Sequence, residues 1–241
     1  MKMKIFKCTF TGVDTEVSKK DIELISNDYK YVEWGYLYSP VRAGTPGRYM
    51  SSYRIEDHLK TLPQNVNTAL HICGKGVTDF ILLEKGYHEN LIELIKDRGG
   101  RVQINFNFSR DTLDLNLLAN RIKSYSSIVF IIQENKSNSG VIDSLLRLGA
   151  TNVSALFDSS GGRGIPGKWR APFGIPCGYA GGLGPDNIGK ELIAINKVVG
   201  DQPIWIDMES NIRQAGYNNT DFMNLECCEQ VLKTIQNSQF I

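Results

Sequence analysis

The sequence predicts an α/β protein in which strands and helices alternate along the chain. Eight short runs rich in β-branched and aromatic residues are separated by amphipathic stretches with apolar residues three and four positions apart. The run Ile128–Ile132 is apolar throughout, as expected of a parallel strand covered on both faces. Eight strand–helix units close naturally into one barrel, so we expect residues 1–241 to form a single (βα)8 TIM barrel domain.

The elements of this barrel follow from the two periodicities. Strands are predicted at Lys4–Phe10, Tyr31–Tyr38, Ala69–Cys73, Arg101–Phe106, Ile128–Gln133, Val153–Asp158, Ile175–Ala180 and Pro203–Asp207. Helices are predicted at Ser18–Ile25, Ile55–Leu62, Leu91–Ile95, Leu113–Ile122, Val141–Leu148, Asp186–Val199 and Asp221–Ile235. The segment Ser159–Gly174 holds five glycines and two prolines, so the sixth helix should be irregular or missing. An open doubly wound sheet is the alternative, but Thr11–Asp14 lacks the glycine-rich turn usual after its first strand.

Composition narrows the class of function. The 27 Lys and Arg residues almost balance the 26 Asp and Glu residues, giving a net charge of +1, so neither a nucleic acid nor a membrane is expected as a partner. The five cysteines are scattered and the three histidines share no ligand spacing, so neither a disulfide framework nor a metal site is expected. There is no signal-peptide pattern, and we expect a cytoplasmic protein; the sequence does not set its oligomeric state.

The active site of such a barrel forms where the strands end, which makes the loops after them the candidates for chemistry. Gly178–Ile188 contains a glycine pair followed by the predicted start of a helix, a pattern that lets backbone N–H groups approach an anion. The loops after strands seven and eight are also the frequent phosphate site of barrels. A tight turn that needs glycine for its geometry alone is the alternative. A second cluster, Gly161–Gly164, includes Arg163 and could also lie over a phosphate.

Cys8 lies on the first predicted strand and Asp158 ends the sixth, and these two strands lie opposite each other across the predicted barrel mouth. A thiolate can remove a carbon-bound proton and a carboxylic acid can donate one, so the pair would suit proton transfer on a sugar. The alternatives are a small buried cysteine and a turn carboxylate. The catalytic interpretation requires both side chains to face the ligand. Cys73 is a rival thiol, and we expect His71 to point outward or to be satisfied in the core.

Several motifs occur in a fixed order along the chain: FKCTFT at 6–11, GYLY at 35–38, GRYMS at 47–51, VQINF at 102–106, LFD at 156–158, GGRG at 161–164, AGGLGPDNI at 180–188 and DMESNIR at 207–213. This ordered set resembles the phosphoribosylanthranilate isomerase family of tryptophan biosynthesis. That family opens with K-I-C-G-I-T, has L-L-D on its sixth strand and continues with S-G-G-L-x-P-E-N-V on its seventh. The resemblance runs collinearly over nearly the whole chain and implies a (βα)8 enzyme that performs an Amadori rearrangement.

The resemblance also implies roles for individual residues. Cys8 would be the general base and Asp158 the general acid, and the reaction would need no cofactor. Arg48 would hold the anthranilate carboxylate through its guanidinium group. The other positions that it implies are substrate contacts at Gln103, Asn105, Asp207 and Glu209, and phosphate contacts at Gly162, Gly164, Gly181, Gly182, Ser210 and Asn211.

The chain departs from the family at the ligand-facing positions Asn105, Glu209 and Asn211, where the family has histidine, serine and glycine. Three hypotheses therefore stay open. The first is the isomerase itself, converting a phosphorylated aminoaldose to an aminoketose. The second is a divergent barrel that binds or isomerises another phosphorylated small molecule. The third is a non-catalytic protein that binds a ligand or a partner.

Overall fold

The computed structural model describes residues 2–107, 113–158, 168–216, 218 and 220–241. Eight strands form one closed barrel in sequence order, and every neighbouring pair, including the first and last strands, is parallel. The strands are β1 Lys4–Thr11, β2 Val32–Tyr38, β3 Asn67–Cys73, β4 Arg101–Asn105, β5 Val129–Glu134, β6 Val153–Asp158, β7 Cys177–Ala180 and β8 Pro203–Met208. The predicted (βα)8 barrel is confirmed.

Helices cover the outside of this barrel. They are α1 Lys19–Asp28, α2 Ser52–Thr61, α3 Lys75–Ile81, α4 Tyr87–Asp97, α5 Leu115–Lys123, α6 Val141–Arg147, α7 Ile188–Val199 and α8 Leu225–Gln236. Two of them, α3 and α4, lie between β3 and β4, and α3 was not predicted. Between β6 and β7 the described residues 168–176 contain no helix. None of the helices in the described part of the chain is long and apolar enough to cross a membrane.

The last two helices begin later than predicted, for local reasons. The predicted helix Asp221–Ile235 begins instead at Leu225, because the Asn224 side chain accepts hydrogen bonds from the first free backbone N–H groups of α8. The residues before it form a short antiparallel hairpin of β9 (Arg213–Ala215) and β10 (Asp221–Met223). The seventh helix begins at Ile188, after a turn over residues 185–187, and not at Asp186.

Side chains of each strand alternate between the barrel interior and the layer under the helices. On β1, Thr9 and Thr11 point inward, where Thr9 donates a hydrogen bond to Glu33 and Thr11 donates one to Asp207. Phe10 points outward into the apolar layer and packs against Trp34. This alternation decides which residues of each strand can reach a ligand at the mouth.

The lower half of the barrel interior is charged. Glu33 is fully buried and pairs with Lys7, at 3.0 Å, and with Arg101. Burial alone would raise the pKa of Glu33, but these two cations lower it to about 2. The Arg101 guanidinium also lies 4.5 Å from the centre of a Trp205 ring. This ionic layer lies beneath the half of the barrel interior at the carboxyl-terminal ends of the strands, where the candidate site is located.

Candidate active site

A pocket occupies the barrel mouth at the carboxyl-terminal ends of the strands. Its polar side chains come from six of the eight strands and from the loop after β8, and two glycines after β7 complete it. The described lining residues on which the site depends are Thr11, His71, Gln103, Asn105, Gln133, Asp158, Ala180, Gly181, Gly182, Asp207, Glu209, Ser210 and Asn211. Most of the residues predicted from strand ends therefore meet in one pocket.

Asp158 and Asp207 form the acidic pair of this pocket. Asp158 is aligned with Ala180 in the β6–β7 pairing, and Ala180 is aligned with Asp207 in the β7–β8 pairing. The two carboxyl-bearing residues are therefore at one height on strands that are two positions apart, about 10 Å between backbones at ordinary strand spacing. The side chain between them is a single methyl group. Asp158 and Asp207 are 4% and 6% exposed, so both carboxyls lie in the pocket wall.

The environment of Asp207 favours its protonated form. Burial raises the pKa of its carboxyl well above the usual value, and nearby Glu209 raises it further. The Thr11 hydroxyl, 2.8 Å away, donates to one oxygen of Asp207 and opposes this rise only in part. The other oxygen can then carry the proton. A carboxyl whose pKa is raised in this way is suited to donating a proton to a ligand.

The loop after β7 is fixed around the carbonyl of Gly182. Gly181 and Gly182 adopt φ values of 104° and 69°, a region that favours glycine. The Gly182 carbonyl accepts hydrogen bonds from the side-chain amides of Asn187, at 2.7 Å, and Asn211, at 2.8 Å. Because C=O and N–H point in opposite directions across a trans peptide, the N–H of Leu183 points away from these two amides. The loop is thus held so that the Leu183 N–H, the backbone donor of this peptide, points away from Asn187 and Asn211.

A short 3-10 helix, Ser210–Ile212, follows β8 and adjoins this glycine loop. Ser210 and Asn211 both line the pocket. At Gly184 a Cβ atom would come within 2.6 Å of the Asn211 side chain, so the two loops pack closely there. Gly181, Gly182, Ser210 and Asn211 therefore border one end of the pocket together.

A line of hydrogen bonds orders the side of the pocket formed by β3 and β4. The Gln103 amide donates to Asn105 at 2.6 Å, the Asn105 amide donates to the Cys73 sulfur at 3.2 Å, and the Cys73 thiol donates to the His71 carbonyl at 3.5 Å. This order fixes the orientation of both amides. Burial raises the pKa of Cys73 to about 12, so the rival thiol is protonated at neutral pH.

Arg48 lies beside the pocket, in a neighbouring cleft that shares Asn105, Gln133 and Glu209 with it. Its guanidinium contacts Glu209 at 2.5 Å and also Asp221, which in turn pairs with Arg213 at 2.7 Å. The sequence predicts that Arg48 holds a ligand carboxylate. In the structure, two carboxylates of the protein already occupy its guanidinium group. The hairpin that supplies Asp221 gave no signal in the sequence.

The predicted position of Cys8 is wrong. Cys8 lies on the outer face of β1 in the apolar layer and is fully buried there, while Thr9 and Thr11 take the inward positions. Burial raises the pKa of its thiol well above the usual value, and Cys228 of α8, Asp207 and Glu33 raise it further. A thiol in this position neither faces Asp158 across the mouth nor forms a thiolate readily.

The predicted position of His71 is also wrong. It points into the barrel and lines the pocket, and its Nε2 atom is buried without a hydrogen-bond partner. Side chains two residues apart on a strand point to the same face, so His71 points the same way as Cys73, which ends β3. This alternation would have indicated the inward position of His71. The predicted phosphate contacts Gly162 and Gly164, together with Arg163, lie outside the described residues. Among the described residues, no three His, Cys, Asp or Glu side chains are grouped so as to hold a metal ion.

The fold and the pocket together define a (βα)8 barrel with an acidic, hydrogen-bonding site at its carboxyl-terminal mouth. The sequence matches no protein-family model and no curated protein. Among solved structures, the chain is similar to phosphoribosylanthranilate isomerase from Thermotoga maritima, with a TM-score of 0.58 and 14% identity over 97% of this chain and 100% of that one.

Two other barrels show a comparable likeness. Phospho-2-dehydro-3-deoxyheptonate aldolase from Thermotoga maritima has a TM-score of 0.56 and 12% identity, over 97% of this chain and 68% of that one. A 3-hexulose-6-phosphate synthase has a TM-score of 0.50 and 12% identity, over 95% of this chain and 99% of that one. At these identities the likeness shows the fold, and the resemblance seen in the sequence is supported to that extent.

Proposed function

We propose that this barrel is an enzyme that binds a phosphorylated, sugar-like small molecule at its mouth and transfers protons between neighbouring atoms of that molecule. The reaction class is the isomerisation of an aldose to a ketose. One observation carries the proposal: the glycine loop after β7 and the short helix after β8 border one end of a pocket whose wall also holds two aligned carboxyls.

The phosphate would bind to main-chain donors near Gly181 and Gly182 and to Ser210 and Asn211. Backbone N–H groups in a glycine loop before a helix suit an anion, and this position is the frequent phosphate site of barrels. The described lining residues include three carboxyl groups, at Asp158, Asp207 and Glu209, and no lysine or arginine. Binding would therefore depend on hydrogen bonds more than on opposite charge.

The acid and base would be Asp207 and Asp158. Asp207, kept protonated by burial, would donate its proton to the ring oxygen of an aminoaldose as the bond from C1 to that oxygen breaks and a Schiff base forms. Asp158 would take the proton from C2, giving an enolamine that tautomerises to the aminoketose. Exchange with water would restore both carboxyls. This assignment gives Asp158 the opposite role from the one that the family resemblance implies.

The more specific version of the proposal is the phosphoribosylanthranilate reaction of tryptophan biosynthesis. The ordered motifs and the similar fold of that isomerase support it. The test is rescue of a tryptophan auxotroph that lacks the isomerase. Growth that requires both Asp158 and Asp207 supports this version, and absence of growth from a well-expressed, folded protein contradicts it.

A second version, in which the ligand is another phosphorylated sugar, is favoured by the pairing of Arg48 with Glu209 and Asp221. A ligand without a carboxylate would leave those ion pairs intact. The test is deuterium incorporation from D2O into a panel of pentose and hexose phosphates, followed by NMR. Exchange at the carbon next to the carbonyl, lost in Asp158→Asn, supports this version. No exchange with any member, together with no rescue of the auxotroph, would contradict the enzymatic proposal as a whole.

A further inference from the structure

The floor of the pocket contains two buried polar atoms without a hydrogen-bond partner. They are Nε2 of His71 and Oε1 of Gln103, on side chains that are 1% and 2% exposed. The two residues are aligned with each other in the β3–β4 pairing, and both line the pocket. Unpaired buried polar atoms are unfavourable, so two adjacent ones inside a pocket point to a ligand atom that completes them.

The surrounding contacts define what each atom offers. The Gln103 amide nitrogen donates to Asn105, which leaves the Gln103 oxygen as an acceptor. Burial, together with Arg101, lowers the pKa of His71 to about 4 and outweighs the opposing effect of Glu33, so the ring is neutral at physiological pH. A neutral imidazole has one nitrogen that donates and one that accepts. In the tautomer that carries its proton on Nε2, His71 offers a donor beside the acceptor of Gln103, and a hydroxyl group matches both because it accepts and donates.

The absence of a side chain at Gly35 leaves room for the His71 ring. A Cβ atom at Gly35 would come within 3.2 Å of the His71 Nε2 atom and 2.9 Å of the Thr11 hydroxyl oxygen. The ring therefore lies against a glycine and beside the threonine that donates to Asp207. A ligand hydroxyl bound by His71 would sit close to the proposed acid.

We propose that His71 and Gln103 recognise one hydroxyl group of the ligand at the pocket floor, which makes the substrate a polyhydroxylated phosphate ester with a free hydroxyl near its reacting carbons. This inference rests on the proposed function and adds a specificity-determining pair to it. Nε2–H of His71 donates to the hydroxyl oxygen, and the hydroxyl donates to Oε1 of Gln103. An analogue that lacks this hydroxyl leaves both atoms unpaired and should bind about 10- to 100-fold more weakly.

The experiment uses the whole chain with 15N-labelled histidine rings and 15N-labelled glycine. The chain has three histidines, and the other two serve as internal controls, because His58 contacts Tyr36 and His88 packs against Phe80, outside the pocket. The probes are D-ribose 5-phosphate and its 2-deoxy and 3-deoxy analogues, with backbone amides at Gly181 and Gly182 reporting the phosphate. We expect ribose 5-phosphate to shift the His71 nitrogens and one deoxy analogue to bind 10- to 100-fold more weakly.

Each other outcome overturns at least one of the two proposals. If the glycine amides shift while His71 does not, or if all three probes bind equally, the hydroxyl pair is wrong and the phosphate site stands. If no phosphate ester binds, D-ribose and ribitol are added: a shift of His71 alone then keeps the hydroxyl pair and contradicts the phosphate site, and no shift overturns both. Gln103→Met, which removes the acceptor at similar length, should reduce the discrimination to within about threefold.

Discussion

Asp158 and Asp207 are aligned with the same residue, Ala180, from opposite sides, so two carboxyls face one pocket at one height with a methyl group between them. The Asp207 carboxyl accepts a hydrogen bond from Thr11, and its burial raises its pKa well above the usual value. Two carboxyls that differ in environment can act as acid and base on one ligand. This relationship connects the barrel register to the proposed proton transfer.

Cys8→Ala tests whether the Cys8 thiol takes part in proton transfer. Because Cys8 packs in the apolar layer and not in the pocket, we expect the variant to lose about 1 kcal/mol of unfolding free energy, from the small cavity left behind. Its rate of proton exchange on the substrate should stay within about twofold of the wild type. Urea unfolding and D2O exchange measure the two quantities, and a 100-fold loss of exchange in a folded variant would restore Cys8 as the base.

Asp207→Asn should stabilise the protein at neutral pH. A carboxyl whose pKa is raised by folding binds its proton more tightly in the folded state, so its contribution to stability is complete below about pH 4 and is lost as pH rises toward the folded pKa. The variant has no such loss. Its advantage over the wild type should grow with pH above 4, by up to about 1.4 kcal/mol per pH unit.

The measurement for Asp207 is urea unfolding from pH 4 to pH 8. Asp143→Asn is the matched control, since Asp143 is an exposed residue of α6. A parallel pH dependence for wild type and Asp207→Asn would show that Asp207 is charged in the folded state, which contradicts its role as the acid.

Glu33→Gln should destabilise the barrel strongly. It leaves Lys7 and Arg101 without their shared carboxylate, and removing one partner of a buried pair costs about 3 to 5 kcal/mol. The wild type should also lose stability as pH falls from about 4.5 toward 2, because the pKa of Glu33 is lowered to about 2 in the folded state. Chemical unfolding of this variant against the exposed control Glu23→Gln measures the effect, and equal stabilities would refute the ionic layer.

Asn187→Ala and Asn211→Ala should weaken phosphate binding. Each substitution removes one of the two side-chain hydrogen bonds to the Gly182 carbonyl, so the peptide that presents the Leu183 N–H is less firmly held. A loss of about 1 kcal/mol per bond corresponds to about fivefold weaker binding. Calorimetric titration with inorganic phosphate measures it, with the exposed Asn237→Ala as control. Unchanged affinity in both variants would count against the glycine loop as the phosphate site.

The strands were predictable because each is a short apolar run with its own face pattern, and all eight agree with the structure to within two residues at either end. The assignment of Cys8 was wrong for a reason contained in the same pattern. Cys8 and Thr11 are three residues apart on one strand, so they point to opposite faces, and only Thr11 can be inside. The motif puts Cys8 on the first strand but does not set which face of the strand its side chain occupies.

Contacts that join distant parts of the chain could not be predicted. The pairing of Arg48 with Asp221 links the second loop to a hairpin near the chain end, and each residue alone looks like a solvated charge. The unpaired Nε2 of His71 lies close to Gly35, where a Cβ atom would come within 3.2 Å of it, and this proximity is a property of the packed barrel. Local sequence patterns predict the helices and strands, whereas these contacts form only when distant segments come together in the folded barrel.

The decisive measurement is a crystal structure with ribose 5-phosphate bound. We expect the phosphate within hydrogen-bond distance of the backbone near Gly181–Leu183 and the sugar carbons between Asp158 and Asp207. A phosphate bound instead in the separate cavity lined by Lys136, Lys168 and Arg170, with the barrel mouth left to solvent, would rule out the glycine loop as the phosphate site.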